Sequence, residues 1–384
     1  MECYQCQFTV PSDAKFCPFC GSAVIMVQDS ISIRRSANNT EKSAGLSSIA
    51  NKINAVAGID SPLEIKLKDL FSNVMVKHSE EEAEDLFFVG TGKTTPSIEN
   101  MVDSWPKPWL FARTFMIVGI LYFGMYLGVE TFQNLNFLPG LITLGSFMMP
   151  LTILIFFWEM NVPQNISIYK VIKILFGGGI LSLVTAGFIY DNFSDSTNVI
   201  MIGIIEEVAK LLVILWFLKE TKYKFIFNGL LIGAAVGAGF AAFESAGYAL
   251  RVALLSDLDN MYSTIIWRGV LSPGGHIAWA ALLGSAICIV KDGSNFRWSM
   301  LSDFRFLRIL AIVIILHALW DVQWPGELPY AQIALTIISW IIALGIMNIA
   351  LKEISSLKAS QTMGMVLPVD TSLISGQENR PRGI

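Results

Sequence analysis

Between residues 109 and 351 the chain is one long apolar run after another. Eight of these runs are long enough to cross the hydrocarbon core of a bilayer. They lie at about 110–130, 137–158, 169–190, 198–218, 225–250, 270–290, 306–324 and 328–351. Lipid offers a backbone amide no partner, so such segments have to be helices. The expected fold is therefore an all-α polytopic membrane protein, a bundle of about eight transmembrane helices.

The loops orient this bundle. Lys107 and Arg113 precede or begin the first run, whereas 131–136 has no Lys or Arg. Lys170 and Lys173, then Lys219, Lys222 and Lys224, then Lys291, Arg297, Arg305 and Arg308, then Lys352 and Lys358 fall at one end. The loops at 191–197 and 325–327, at the other end, have none. Only the expected loop at 251–268, with Arg251 and Arg268 against Asp257 and Asp259, interrupts the alternation. The positive-inside rule then places both termini in the cytoplasm. The fifth run carries Gly229, Gly233, Gly237, Ala241 and Ser245 at every fourth position, a stripe suited to close helix packing.

Ionisable side chains inside a bilayer are costly and point to function. Here they are Glu206, Glu207 and Lys210 in the fourth run, Glu244 in the fifth, His276 in the sixth, and His317 and Asp321 in the seventh. At 1.5 Å per helical residue, Glu206 lies roughly 12 Å below the outer edge, Glu244 and His276 roughly 9 Å, and His317 roughly 10 Å. Runs of alternating direction thus bring their polar groups to one depth in the outer half, as a single site requires. Glu206 and Lys210 share a helix face, as do His317 and Asp321. Glu207 is turned about 100° from Glu206, so one of the two serves the site and the other supports it. Four carboxylates against one ammonium give a net charge of −3 if all are ionised, which a poorly solvated place does not sustain. Shared protons, charged histidines or a divalent metal must offset it. Carboxylates with raised proton affinity suit general acid–base work, and histidines with carboxylates equally suit zinc. The residues alone leave both open.

The head of the chain is different in kind. Cys3, Cys6, Cys17 and Cys20 form C-x2-C-x10-C-x2-C, two knuckles that can close a thiolate cage around structural zinc. Two disulfides are the alternative, disfavoured in a reducing cytoplasm. The organisation expected is a zinc-ribbon at 1–24, a polar cytoplasmic linker at 25–108, the membrane body at 109–351 and a cytoplasmic tail at 352–384. Within the linker, Leu63, Leu67, Leu70, Phe71 and Val74 have helix-like spacing over 61–76. The acidic run Glu80–Asp85 reads as a solvated face. Gly92-Lys93-Thr94 lacks the spacing of a P-loop, whose first glycine would fall at Phe87. Cys288, within an apolar run, reads as a packing residue. The start of the chain shows no basic-then-apolar signal peptide. Only 15% of residues are charged, against about 25% in soluble domains. The net charge of −4 gives no reason to expect nucleic acid as a partner.

Glu206-Glu207-x-x-Lys210, Phe240-x-x-x-Glu244, His276 and His317-x-x-x-Asp321 together resemble, in order and on separate runs, the motifs of PrsW-type intramembrane proteases, within the wider group of CAAX prenyl proteases and bacteriocin-processing or immunity proteins. The resemblance covers roughly 105–351. It implies an endopeptidase that cuts a membrane-anchored protein near the extracytoplasmic face, an anti-sigma factor in the best-known role, in a prokaryotic cell membrane. By similarity, Glu206 would act with Glu244 on a water, with His317 and Asp321 stabilising the oxyanion or holding a metal and His276 able to do either. No H-E-x-x-H or G-x-G-D occurs, and the single G-x-S, Gly45-Leu46-Ser47, is in the linker. A non-catalytic immunity or scaffold module and a cation or proton transporter are the competing readings. In all three the ribbon would serve as a cytoplasmic docking module for a protein partner.

Overall fold

The structure, a computed structural model, describes residues 47–63, 65–193, 198–219, 222–325 and 329–365. The chain divides into two compact units, Met1–Ile49 and Ala50–Ile384, and the membrane body belongs to the second. The four-cysteine ribbon and the tail beyond Met365 lie outside the described residues.

The described secondary structure is entirely helical. The body is built from α1 (Leu110–Glu130), α2 (Leu138–Glu159), a composite α3 (α-helix Ile168–Lys173, π-helical Ile174–Gly178, α-helix Gly179–Phe193), α4 (Val199–Leu218), α5 (Ile226–Leu255), α6 (Leu258–Leu271), α7 (His276–Lys291), α8 (Phe304–Asp321) and α9 (Tyr330–Met365). Six stretches are long and apolar enough to cross a membrane: Leu110–Glu130, Leu135–Glu159, Ile168–Asn192, Ile226–Leu255, Leu258–Lys291 and Tyr330–Gln361. This is an integral membrane protein, but the expected count of eight spans is not confirmed. Helices α4 and α8 stand where the fourth and seventh runs were placed. Each carries three charged residues (Glu206, Glu207 and Lys210; Arg305, Arg308 and Asp321) that break its apolar character.

Three boundaries are corrected. The segment expected as a loop at 251–268 is helical almost throughout. Its aspartate is a helix cap, Asp257 accepting from the Asn260 amide at 2.8 Å, so a charge placed in a loop is a helix start. The expected sixth run is broken by a 3-10 turn, Ser272–Gly274, containing Pro273, and His276 is the first residue of α7. Helix α9 continues past residue 351 to Met365.

Helix α5 is the axis of the bundle, with Ile226 to Ala242 buried without a break. The small-residue stripe does what its spacing suggested. A Cβ at Gly229 would overlap the Gly284 carbonyl, at Gly233 that of Ala280, and at Gly237 that of His276. Helices α5 and α7 therefore touch backbone to backbone. The other side of α5 meets α3 at Gly239, which packs on Gly179 and the Leu175 carbonyl beside the π-helical stretch.

Helix α1 fully buries only Leu110, Gly128 and Val129 and packs on α2, where Tyr122 and Met125 lie against Gly145 and Gly140; its start is fixed by a carboxylate from α2. Glu159 accepts from the amides of Trp109, Leu110 and Phe111 at 2.8–2.9 Å, donors of the kind a helix start leaves unpaired.

Residues 50–108, expected as a polar linker, lie against the bundle. Ala57, Ile59, Leu70 and Met101 belong to the main apolar core. The Asn348 amide donates to the Ser61 hydroxyl at 2.8 Å, and Lys358 to the Met101 carbonyl at 2.9 Å. The apolar anchors are single and irregularly spaced, so periodicity does not reveal them. The helix expected over 61–76 is reduced to one turn, Leu67–Leu70, where Leu70 alone is buried and the Ser72 hydroxyl bonds back to the Asp69 carbonyl. The acidic run forms a surface helix, Glu80–Phe87, with a Ser79–Glu82 capping box. Cys288 is buried in the core.

Candidate active site

The seven ionisable residues expected to form one site meet in the structure. Glu206, Glu207 and Lys210 come from α4, Glu244 from α5, His276 from the first turn of α7, and His317 and Asp321 from the end of α8. The α5–α7 contact at Gly237 seats the backbone of His276 itself. A cavity of about 530 Å3 opens over Glu206, Glu244, His276, His317 and Asp321, walled by Tyr248, Trp267, Trp279 and Trp320.

The innermost layer is a buried network. Lys210 is fully buried; its ammonium lies 2.6 Å from Glu207 Oε1, 2.8 Å from His276 Nδ1 and 4.2 Å from the Phe240 ring centroid. An ammonium can only donate, so His276 Nδ1 accepts and the proton of a neutral His276 ring sits on Nε2, 3.2 Å from Glu244 Oε2. Glu207, also fully buried, can only accept as a carboxylate, so His317 donates to it from Nδ1 at 2.7 Å. The His317 ring stacks on Trp279, centroids 4.7 Å apart, and Trp279 is fixed by its indole N–H donating to Ser339 at 3.1 Å.

The two adjacent glutamates are thereby distinguished. Glu207 faces inward and accepts from both Lys210 and His317 through Oε1, while its buried Oε2 has no hydrogen-bond partner among the described residues. Glu206 faces the cavity. Its Oε2 is buried and, among the described residues, has no hydrogen-bond partner, lying 3.7 Å from both Lys210 Nζ and His317 Nε2. Asp321 Oδ2 lies 3.6 Å from that same His317 nitrogen, beyond hydrogen-bonding range. His317 Nε2 thus lies between two carboxylates and is hydrogen-bonded to neither; in a neutral ring that donates from Nδ1 it carries the lone pair. One ligand atom from each of Glu206, His276 and His317 can be chosen so that all lie within 4.8 Å of one another.

Arg268 is the residue that sequence reasoning did not place in the site. On α6, it forms an ion pair with Glu244, donates from Nε to the Ser245 hydroxyl at 3.0 Å, and lies over the Tyr248 ring at 4.2 Å. Glu244 Oε2 is held between Arg268 and His276, so it is the most fully paired carboxylate of the cavity wall. The signal was present as an arginine in an otherwise balanced apolar stretch. Reading that stretch as a loop hid it.

The helical membrane bundle gathers buried carboxylates and histidines around one cavity, an arrangement that suits hydrolysis within a membrane. The sequence profile described as PrsW family intramembrane metalloprotease matches residues 137–347, more than half of the chain, and the chain belongs to that family. No curated protein and no solved structure matches it.

Proposed function

We propose that the chain hydrolyses a peptide bond of a membrane-anchored protein in the cavity over Glu206, near the extracytoplasmic face. The observation that carries this is the uncommitted pair at its floor, the buried Glu206 Oε2 without a partner and the bare His317 Nε2 3.7 Å away. Leaving such groups unpaired costs stability, and hydrolysis needs them.

The donor set fits a divalent metal of the zinc type, which takes histidine nitrogen and carboxylate oxygen. Glu206 and His317 would hold it through those two atoms. His276 would join through Nε2 only if Lys210 passed a proton to Nδ1 and Glu244 took the proton from Nε2. Once bound, the ion would supply a water of lowered pKa and a Lewis acid for the scissile carbonyl. Glu207 orients His317 through Nδ1, as carboxylates behind metal-binding histidines do. Lys210 sits behind the same groups and offsets their negative charge. Asp321 is the carboxylate left to accept the water proton and pass it to the leaving amine. It lines the cavity, its side chain is 29% exposed, and among the described residues no hydrogen bond holds it. This differs from the role the resemblance gave Glu244, whose Oε2 is engaged by both Arg268 and His276. Arg268 instead balances the charge of Glu244 and fixes the wall against which the substrate lies.

The remaining expectations belong to the same proposal. Residues 1–24 form a zinc-ribbon that docks a cytoplasmic protein, and both termini are cytoplasmic as the loop charges suggest. An anti-sigma factor is one candidate substrate.

The test is terminal-peptide mass spectrometry of membranes expressing wild type, Glu206→Gln or Asp321→Asn at equal levels. New termini beside single-span segments are expected with wild type alone. In a background with the four ribbon cysteines changed to serine, Glu206→Gln should also lose bound metal while Asp321→Asn keeps it. Cleavage that survives Glu206→Gln would overturn the reading.

A further inference from the structure

Peptide hydrolysis makes no use of a second cavity, of about 600 Å3, at the far end of α5. It lies between the loop that begins at Gly90, the entry to α3 and the entry to α5. Lys170, Lys222 and Lys224 line it, and no described lining residue is a carboxylate. By contrast, the neighbouring cavity mixes Arg305, Arg308 and Lys352 with Asp292 and Glu353.

The positive groups are gathered. The ammonium groups of Lys170 and Lys222 lie 5.7 and 4.9 Å from the centroid of one ring, that of the buried Tyr223. Ser97 and Ser167 add hydroxyls to the wall. The loop is pinned across the opening at Gly90. Its φ is +86°, and a Cβ there would overlap the backbone of Ile166 and Ser167, so only glycine allows the approach. The loop carries Gly92-Lys93-Thr94 but is no P-loop. The Thr94 hydroxyl is turned back onto the Phe88 carbonyl at 2.6 Å.

The level of the cavity is informative. Lys222 and Lys224 immediately precede α5, whose buried apolar run begins at Ile226. That junction is where a helix leaves the headgroup layer for hydrocarbon. Glu244 is 18 residues further on, roughly 27 Å at 1.5 Å per residue, about the thickness of the hydrocarbon core. Lysines concentrated on one wall, with no carboxylate among its described lining residues, raise the local potential and attract an anion.

We propose that this cavity binds a phosphate-bearing anion, either the headgroup of an anionic phospholipid or a soluble phosphate. The lysines supply the charge and the hydroxyls supply further donors.

The test uses the purified full chain in neutral detergent. Native mass spectrometry with phosphatidylglycerol or phosphatidylcholine reads lipid retention. A thermal shift with inorganic phosphate or pyrophosphate reads the soluble alternative. Wild type should prefer the anionic ligand, and Lys170→Gln/Lys222→Gln/Lys224→Gln should weaken it by about tenfold or more. Lys173→Gln/Lys219→Gln removes two charges at the same end without touching the cavity lining, and it should change little. Retained phosphatidylglycerol identifies a lipid site, and a response to phosphate alone a soluble one. Should the triple variant not fold, each single change is expected to cost about two- to threefold. The proposal is overturned if wild type and lysine variants bind phosphatidylglycerol and phosphate alike, or if the control variant loses as much as the triple one, which would indicate diffuse surface attraction.

Discussion

The two halves of the α5–α7 pair are built in opposite ways. From Gly229 to Gly237 the helices meet backbone against backbone with no space for a methyl group. Seven residues further along α5, at Glu244, the bundle opens into a cavity of about 530 Å3 lined with charges. The closed half teaches how the open half can exist. Glu206 Oε2 and His317 Nε2 are left unpaired, and neighbouring helices would collapse onto such groups unless something rigid held them apart. The glycine contact, which also seats the backbone of His276, provides that rigidity.

The comparison is broken most completely at its closed end. Gly233→Leu drives a side chain into the Ala280 carbonyl and should destabilise the protein by about 3 kcal/mol or more. The expected readout is loss of the monodisperse species in fluorescence-detected size exclusion, with no cleavage by what remains. A stable, active Gly233→Leu protein would show that the site does not depend on this contact. Next is Glu207→Ala, which leaves Lys210 and His317 buried without their shared carboxylate. Breaking a buried pair costs about 3–5 kcal/mol, so thermal stability and cleavage should fall together. Glu206→Gln should separate them, abolishing cleavage at nearly unchanged melting temperature. Arg268→Gln is expected to lower cleavage about tenfold with a smaller effect on stability, because this pair is partly exposed and Glu244 is merely freed. Arg268→Lys should restore part of the rate, whereas a purely packing role for Arg268 predicts no difference between Lys and Gln. Ser245→Ala removes one acceptor from Arg268 and should cost about 1 kcal/mol, visible as a few degrees in a melting curve and a severalfold change in rate at most.

Much of the site was legible because charge inside an apolar helix is rare enough to stand out. Glu206, Glu207, Lys210, Glu244, His276, His317 and Asp321 needed only depth and face to be grouped, and all seven meet. Sequence could not separate Glu206 from Glu207, because which neighbour faces the cavity is set by how α4 is rotated against α8. Arg268 escaped because a charged stretch between apolar runs looks the same whether it is a loop or a capped helix such as α6. The packing of residues 50–108 escaped for a related reason. Its anchors Ala57, Ile59, Leu70 and Met101 are isolated, and periodicity detects repetition only. The span count is not confirmed at α4 and α8, where the residues that make the site also lower the apolarity by which spans are recognised.

Glu159 has a further consequence, for how such proteins are assembled and can be taken apart. The family match begins at residue 137, so α1 lies ahead of the shared body. The start of this front segment is clasped to that body by one side chain on α2 gripping three main-chain amides, those of Trp109, Leu110 and Phe111. A main-chain grip reads no side chains, so the same clasp can receive any helix start of suitable geometry. Residue 159 is therefore one seam for grafting other leading helices, whose inner face must still supply the packing that Tyr122, Met125 and Gly128 make with Gly145, Gly140 and Phe137.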